Sequence, residues 1–388
     1  MVMHIKELDK QYVAPTYARF DLCLVKGEGS HVWDDEGHEY IDLGTGIAVN
    51  GFGVADAEWI AAVTEQLGKI QHTSNLYYSE PCARLAEQLC LRTGMKQVFF
   101  SNSGAEANEC AIKAARKYGE TKLGGKTTII TLKDSFHGRT ITTLAATGQD
   151  VFHKDFLPLT EGFVHAEANN LDDVKRLADE NPCCAVMFEV VQGEGGVRPL
   201  TKEFLQGLEA FARERDLLLI ADEVQTGNGR TGELYGYMNF GITPDIVSTA
   251  KGLGGGLPIG ATMLGERVEN ILTAGMHGST FGGNPIAAAG ALNILSRIDD
   301  ALLAGVRERS DYIWNELTGT EGVVSVTGLG LMIGIETEKD AGEVIAACRE
   351  HGVLVIKAKH KVRLLPALNI PMDDLKKAVA VIKEVCKK

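Results

Sequence analysis

Three strand-like runs in the middle of the chain, two of them wholly apolar, each end abruptly in polar or glycine-rich sequence, and that punctuation limits the fold more than any other feature. Cys184-Ala185-Val186-Met187-Phe188 breaks into Glu189, followed by Gln192-Gly193-Glu194-Gly195-Gly196. Leu217-Leu218-Leu219-Ile220-Ala221 breaks into Asp222-Glu223-Val224-Gln225-Thr226-Gly227. Asp245-Ile246-Val247-Ser248-Thr249 delivers Ala250-Lys251 into Gly252-Leu253-Gly254-Gly255-Gly256. Short apolar runs bounded in this way read as strands buried on both faces. Polar residues at their C-terminal ends then line one rim of the sheet, where open α/β folds bind ligands. On that rim an acid, Asp222, and a lysine, Lys251, converge on one ligand.

The flanking sequence supplies helices for such a sheet. Residues 59–68 carry Ile60, Val63 and Leu67 at helical spacing, and residues 81–93 carry Leu85, Leu89 and Cys90. Val98-Phe99-Phe100 reads as a strand feeding Ser101-Asn102-Ser103-Gly104-Ala105-Glu106-Ala107. There Ser103 or Asn102 caps a helix that continues through Ala111, Ala115 and Tyr118. A helix start of this kind presents unpaired N–H groups and the positive end of a dipole, which suits an anion, although capping alone also accounts for it. Residues 127–132 form a strand that ends in Asp134-Ser135-Phe136-His137-Gly138-Arg139-Thr140, bringing Phe136, His137 and Arg139 to the same rim. Helices over 171–180 and 201–215 complete the alternation, which predicts a mostly parallel, doubly wound sheet with helices on both faces.

One motif misleads. Gly227-Asn228-Gly229-Arg230-Thr231-Gly232 matches the dinucleotide pattern, but a helix must begin inside such a motif, and the following sequence has no helical period. A nicotinamide dehydrogenase is therefore the remote reading.

The chain ends differ in character from the middle. Near the N-terminus, Glu36-Gly37 sits at the turn of a hairpin, followed by Gly44-Thr45-Gly46-Ile47-Ala48-Val49-Asn50. After extended residues 259–264 and a helix over 285–298 come short strands at 323–326, 331–335, 353–356 and 362–365, interleaved with helices at 341–350 and 373–385. This predicts a smaller α+β domain from residues 1–55 and 296–388, and a large α/β domain over 56–295. Arg363 interrupts an apolar strand, and a buried arginine wants an anionic partner.

Composition excludes some functions. A net charge of −13 over 388 residues argues against a nucleic-acid or anionic-membrane surface. Eight cysteines without a CxxC pair suggest a reducing cytosol, not a disulfide framework. Charges at Lys6, Glu7, Asp9 and Lys10 interrupt any leader-like apolar stretch, and no apolar run is long enough to span a bilayer. No metal-ligand set stands out.

Acid, lysine, anion loop and aromatic together suit pyridoxal phosphate, which needs an amine partner, a carboxylate for its ring nitrogen and donors for its phosphate. The motifs 101–107, Phe136-His137-Gly138-Arg139, 222–227, Lys251-Gly252 and His277-Gly278-Ser279-Thr280-Phe281-Gly282-Gly283-Asn284-Pro285 resemble, in order and spacing, the class III aminotransferases of fold type I. Gly46-Ile47-Ala48-Val49-Asn50 and His72-Thr73-Ser74-Asn75-Leu76-Tyr77-Tyr78 resemble the branch of that class whose amino donor is acetylornithine.

The resemblance implies a role for each matching position. Lys251 would hold pyridoxal phosphate covalently and carry protons; Asp222 would pair with the ring nitrogen and Gln225 with the phenolic oxygen. Phe136 and Val224 would cover the two ring faces. Gly104 and Ala105 would donate to the phosphate, joined by Thr280 from a second subunit of a homodimer with shared sites. Arg363 and Arg139 would hold the carboxylates of glutamate and 2-oxoglutarate, with Ser279 assisting at acetylornithine and Glu194 pairing with Arg363 when a terminal amine is offered. Ornithine, succinylornithine, 4-aminobutyrate and succinyl-diaminopimelate are the rival donors. The sequence departs from the pattern at Val54-Ala55-Asp56, where Gly-His is usual nearby, at Arg363-Leu364-Leu365-Pro366 and at Asn228.

Overall fold

A computed structural model describes residues 5–387. Met1, Val2, Met3, His4 and Lys388, which belong to the terminal segments read above, lie outside the described residues. At its centre is a seven-stranded sheet, in the order Gln97–Ser101, Gly260–Leu264, Ile246–Thr249, Leu218–Asp222, Cys183–Phe188, Thr128–Leu132, Phe163–Ala166. The last five strands run parallel. Gly260–Leu264 runs antiparallel to both of its neighbours, a reversal that the strand pattern alone did not predict. The cause is the connection: residues 250–259, which include the short turn Lys251–Leu253, are too few for the crossover helix that a parallel return requires.

Period-two geometry explains why the central strands are apolar throughout. Leu219, Ala221, Val186 and Phe188 face one core, while Leu218, Ile220, Ala185 and Met187 face the other. Helix Lys202–Glu214 covers the first core with Phe204, Leu205 and Leu208. Helix Gly104–Lys122 covers the second with Ala111, Ala114, Ala115 and Tyr118. Each fully buried leucine or isoleucine here contributes about 1.5–3 kcal/mol.

A separate apolar core lies under an antiparallel sheet of Val323–Leu329, Met332–Thr337, Lys361–Leu364 and Ile356–Ala358. Leu43 from the N-terminal part joins that core, and Val353–Leu354 pairs in parallel with Glu39–Asp42 beyond the hairpin. Helix Asp300–Leu317, not anticipated from sequence, contributes Val306, Ile313 and Leu317 to the same core.

Two local features also differ from expectation. Residues Thr45–Ala48 form a left-handed turn, with φ of 47° at Thr45, 66° at Ile47 and 61° at Ala48. Such values are costly for side chains with a Cβ and mark a site held by its surroundings. In helix Ala57–Leu67 the apolar spacing does not point inward: Ile60 and Leu67 are exposed, and Trp59 packs against the core instead.

Candidate active site

The C-terminal ends of the central strands open on a cavity of about 600 Å³. Asp222 closes its floor, 4% exposed. Its Oδ2 accepts from His137 Nδ1 and from Asn108 Nδ2, both at 2.8 Å, and its Oδ1 accepts from Val224 N–H at 3.1 Å. The supporting groups are themselves fixed. Asn108 also donates to His137 O (2.8 Å) and accepts from Ser248 Oγ (2.5 Å), while Thr147 Oγ1 accepts from His137 N–H (2.9 Å). A buried carboxylate satisfied on both oxygens is a rigid anionic post, suited to a cationic ring nitrogen. His137 thus acts as a brace for Asp222 rather than as a free acid–base group.

Lys251 lines the same cavity, two residues beyond the strand that pairs with Asp222's own. Its backbone has φ +46°, a left-handed conformation that a lysine adopts only under constraint. Burial lowers its ammonium pKa, opposed by the charge of Glu194 and reinforced by that of Arg363. A depressed lysine holds more neutral amine, the form that attacks a carbonyl carbon and takes up a proton.

Two close approaches shape the walls. A Cβ at Gly104 would lie 2.6 Å from Val224 Cγ1, so only glycine lets the helix start meet that side chain. At Gly138, φ is +139° and a Cβ would lie 2.8 Å from the Cβ of Ala105. The Gly104–Lys122 helix is capped by Ser103, whose Oγ accepts from Glu106 N–H (3.2 Å), leaving the first-turn N–H groups to face an anion. Phe136 is positioned by its N–H, which donates to Glu189 Oε2 (3.0 Å). Burial, and then the charge of Asp222, pushes the Glu189 carboxyl well above the usual range.

Arg363 stands behind this cavity rather than in its lining, 2% exposed. Its Nη1 donates to Glu194 Oε1 (2.6 Å) and to Gln225 Oε1 (3.0 Å), and Gln225 Nε2 donates to Glu194 Oε1 (3.4 Å). Burial works against the ionised Glu194, but the charge and hydrogen bond of Arg363 hold its pKa below the usual value. Gln225 therefore both lines the cavity and braces this pair. Arg139 presents the opposite case. It is exposed at the cavity, stacked over Phe152 (4.6 Å) and Phe136 (5.6 Å), and no carboxylate pairs with it among the described residues.

The fold brings together Gly104, Ala105, Phe136, Arg139, Asp222, Val224, Gln225 and Lys251 around one cavity, with Glu194 and Arg363 one layer behind. Ser279 and Thr280 are not in its lining: Thr280 is exposed, and Ser279 Oγ accepts from Asn102 Nδ2 (3.1 Å). Sequence reasoning missed Asn108, Glu189 and Val49. Glu189 had a visible signal, an acid ending a buried strand, whereas Asn108 sits within the Gly104–Lys122 helix without one. Buried acid, depressed lysine, helix N-terminus and aromatic wall fit a flat ring with a basic nitrogen and a phosphate tail, as in pyridoxal phosphate.

Known proteins agree with this chemistry. An acetylornithine aminotransferase from Haemophilus ducreyi is 50% identical over 384 residues, spanning 98% of each chain. A succinylornithine transaminase from Citrobacter koseri is 45% identical over 94% of this chain and 92% of its own. The crystal structure of ornithine aminotransferase from Toxoplasma gondii superposes with a TM-score of 0.94 at 29% identity, covering 98% of this chain and 94% of that one. The family model of aminotransferase class III matches residues 12–386, and the chain belongs to that family.

Proposed function

We propose that the protein transfers the terminal amino group of N2-acetyl-L-ornithine to 2-oxoglutarate, yielding N-acetyl-L-glutamate 5-semialdehyde and L-glutamate, a step of arginine biosynthesis. The observation that carries this reading is the contrast between the two arginines. With Arg363 neutralised by Glu194 and Arg139 free at the cavity, the resting site suits a donor with one carboxylate and a terminal amine. When a dicarboxylate follows, Arg363 leaves Glu194 for the α-carboxylate while Arg139 takes the distal one, each as a bidentate fork. The Haemophilus ducreyi relative, similar over nearly the whole chain, bears the matching name.

When bound, pyridoxal phosphate supplies an aldehyde carbon that takes amino groups and a ring that withdraws electrons from the reacting carbon. Lys251 would hold the group, and its lowered pKa suits it to carry the proton at the reacting carbon. Asp222, fixed by His137 and Asn108, would keep a proton on the ring nitrogen. Phe136 and Val224 would wall the ring. Gly104 and Ala105 N–H groups would receive the phosphate, and Gln225, which braces the arginine pair, would serve the phenolic oxygen.

Thr280 and Ser279 complete this reading from a second copy of the chain. Support comes from their position outside their own cavity and from the exposed apolar residues beside them, Phe281 in sequence and Leu76, Tyr77 and Tyr78 on the loop whose Asn75 donates to Ser279 O and Gly282 O. We read the site as formed between a large domain over 56–295 and a small one from 1–55 and 296–388, within a cytosolic homodimer. Among the described residues no helix is long and apolar enough to cross a membrane.

The Citrobacter koseri relative favours succinylornithine as the second reading. Comparing kcat/KM for acetylornithine, succinylornithine, ornithine and 4-aminobutyrate with 2-oxoglutarate decides between them. Acetylornithine is expected to lead; a clear preference for free ornithine rejects the proposed donor.

A further inference from the structure

Arg230 lies in the glycine-rich turn that mimics a dinucleotide motif, and it is 2% exposed. A buried guanidinium ordinarily faces a carboxylate. Among the described residues Arg230 has none; its Nη1 donates instead to the carbonyls of Leu331 (3.1 Å) and Pro366 (2.5 Å). Leu331 N–H returns a bond to Arg230 O (2.9 Å). Gly330 makes room for this contact: its φ is +57°, and a Cβ there would lie 2.6 Å from Arg230 O.

Both carbonyls flank the strands that present Arg363. Leu331 leads directly into Met332–Thr337, whose Gly334 pairs with Arg363, and Pro366 closely follows the strand Lys361–Leu364. On its other side the turn is tied to the cavity floor, because Gly227 N–H donates to Glu223 O (3.0 Å) just beyond Asp222. Gln225, between the two, touches Arg363 directly. The turn thus joins the strand end that carries Asp222 to both strands that carry and align Arg363.

We propose that Arg230 is a positioning residue for carboxylate recognition, a two-carbonyl clamp that sets where Arg363 stands over the cavity when it leaves Glu194 for substrate. The proposal rests on the function given above. An apolar side chain of similar length fills the same volume but strands two buried carbonyls, whereas lysine keeps a charged multiple donor without the rigid placement of the guanidinium Nη1. Burial lowers the guanidinium to about 9, which still leaves it charged at neutral pH. In the acetylornithine half-reaction Arg363 stays on Glu194, so an error in its placement is felt less there than with glutamate.

The test uses holoenzyme of wild type, Arg230→Met and Arg230→Lys, with each half-reaction followed separately through the cofactor's absorbance. In Arg230→Met, kcat/KM for glutamate is expected to fall about 10–100-fold, as for misplacement by an ångström or less. Acetylornithine changes far less, the cofactor band is unaltered, and Arg230→Lys recovers part of the loss. Equal losses in both half-reactions, no loss in either, or failure of both variants to give soluble holoenzyme overturns the proposal and leaves Arg230 a packing residue. A wild type that does not use acetylornithine, or an Arg363→Lys variant with an intact glutamate half-reaction, instead overturns the functional reading, and both are measured without touching Arg230.

Discussion

Asp222 and Arg363 are both buried charges at one cavity, yet their surroundings differ in kind. Asp222 receives three hydrogen bonds, and two of the donors, Asn108 and His137, are held by further bonds of their own, so its position is over-determined. Arg363 makes its two shortest bonds to the side chains of Glu194 and Gln225, with a longer one to Lys357 O (3.3 Å), so its position depends on side chains that can change partner. A network of braced donors costs much to rearrange, whereas one carried by a side-chain ion pair has a second arrangement within reach. The site thus combines a fixed post with a group able to change partner. That division suits an enzyme whose ring chemistry is constant while its substrates alternate.

The fixed half is tested by the largest effects. Lys251→Ala should lower turnover by about 10²–10⁴-fold and abolish the near-visible band of the bound cofactor; an unchanged spectrum removes Lys251 from its role. Asn108→Ala deletes one bond to Asp222 and should cost about 1–3 kcal/mol in the rate-limiting chemistry, with both half-reactions affected alike. A loss confined to the glutamate half-reaction would erase the distinction between post and switch.

The smallest effect concerns the neighbouring acid. Glu223 accepts from Thr226 Oγ1 (2.7 Å), Gly236 N–H and Tyr237 N–H (both 2.8 Å), yet burial raises its pKa from 4.5 to about 7. The folded state therefore retains a proton that the unfolded chain has released. Between pH 4.5 and about 7, this group's contribution to stability falls as pH rises. Chemical denaturation across that window should show the slope in wild type and a flatter profile in Glu223→Gln. Parallel profiles would mean that Glu223 is ionised throughout.

The fixed half was also the more legible in sequence. Residues 217–222 announce themselves because a strand buried on both faces is apolar, so Asp222 stands out where the run breaks, and the shorter strand-like run 245–249 delivers Lys251 into glycines. The braces did not: Asn108 and His137 lie 114 and 85 positions from Asp222, and no local pattern encodes such pairings. Helix Asp300–Leu317 was hidden because Gly305 and a run of charged residues dilute its buried positions Leu303, Val306, Ile313 and Leu317. The reversed strand Gly260–Leu264 was readable in principle from its short connection. Ile60 and Leu67 gave the correct helix but the wrong face, since periodicity reveals an apolar stripe and not what covers it.

The division between post and switch is tested most directly by Glu194→Gln, which keeps the shape of the Arg363 partner and removes its charge. Stopped-flow absorbance of the two half-reactions should show acetylornithine slowed about tenfold or more, because Arg363 is left uncompensated opposite a chain that has no carboxylate for it. Glutamate should react as fast as in wild type, or faster. Equal slowing of both half-reactions would contradict the account.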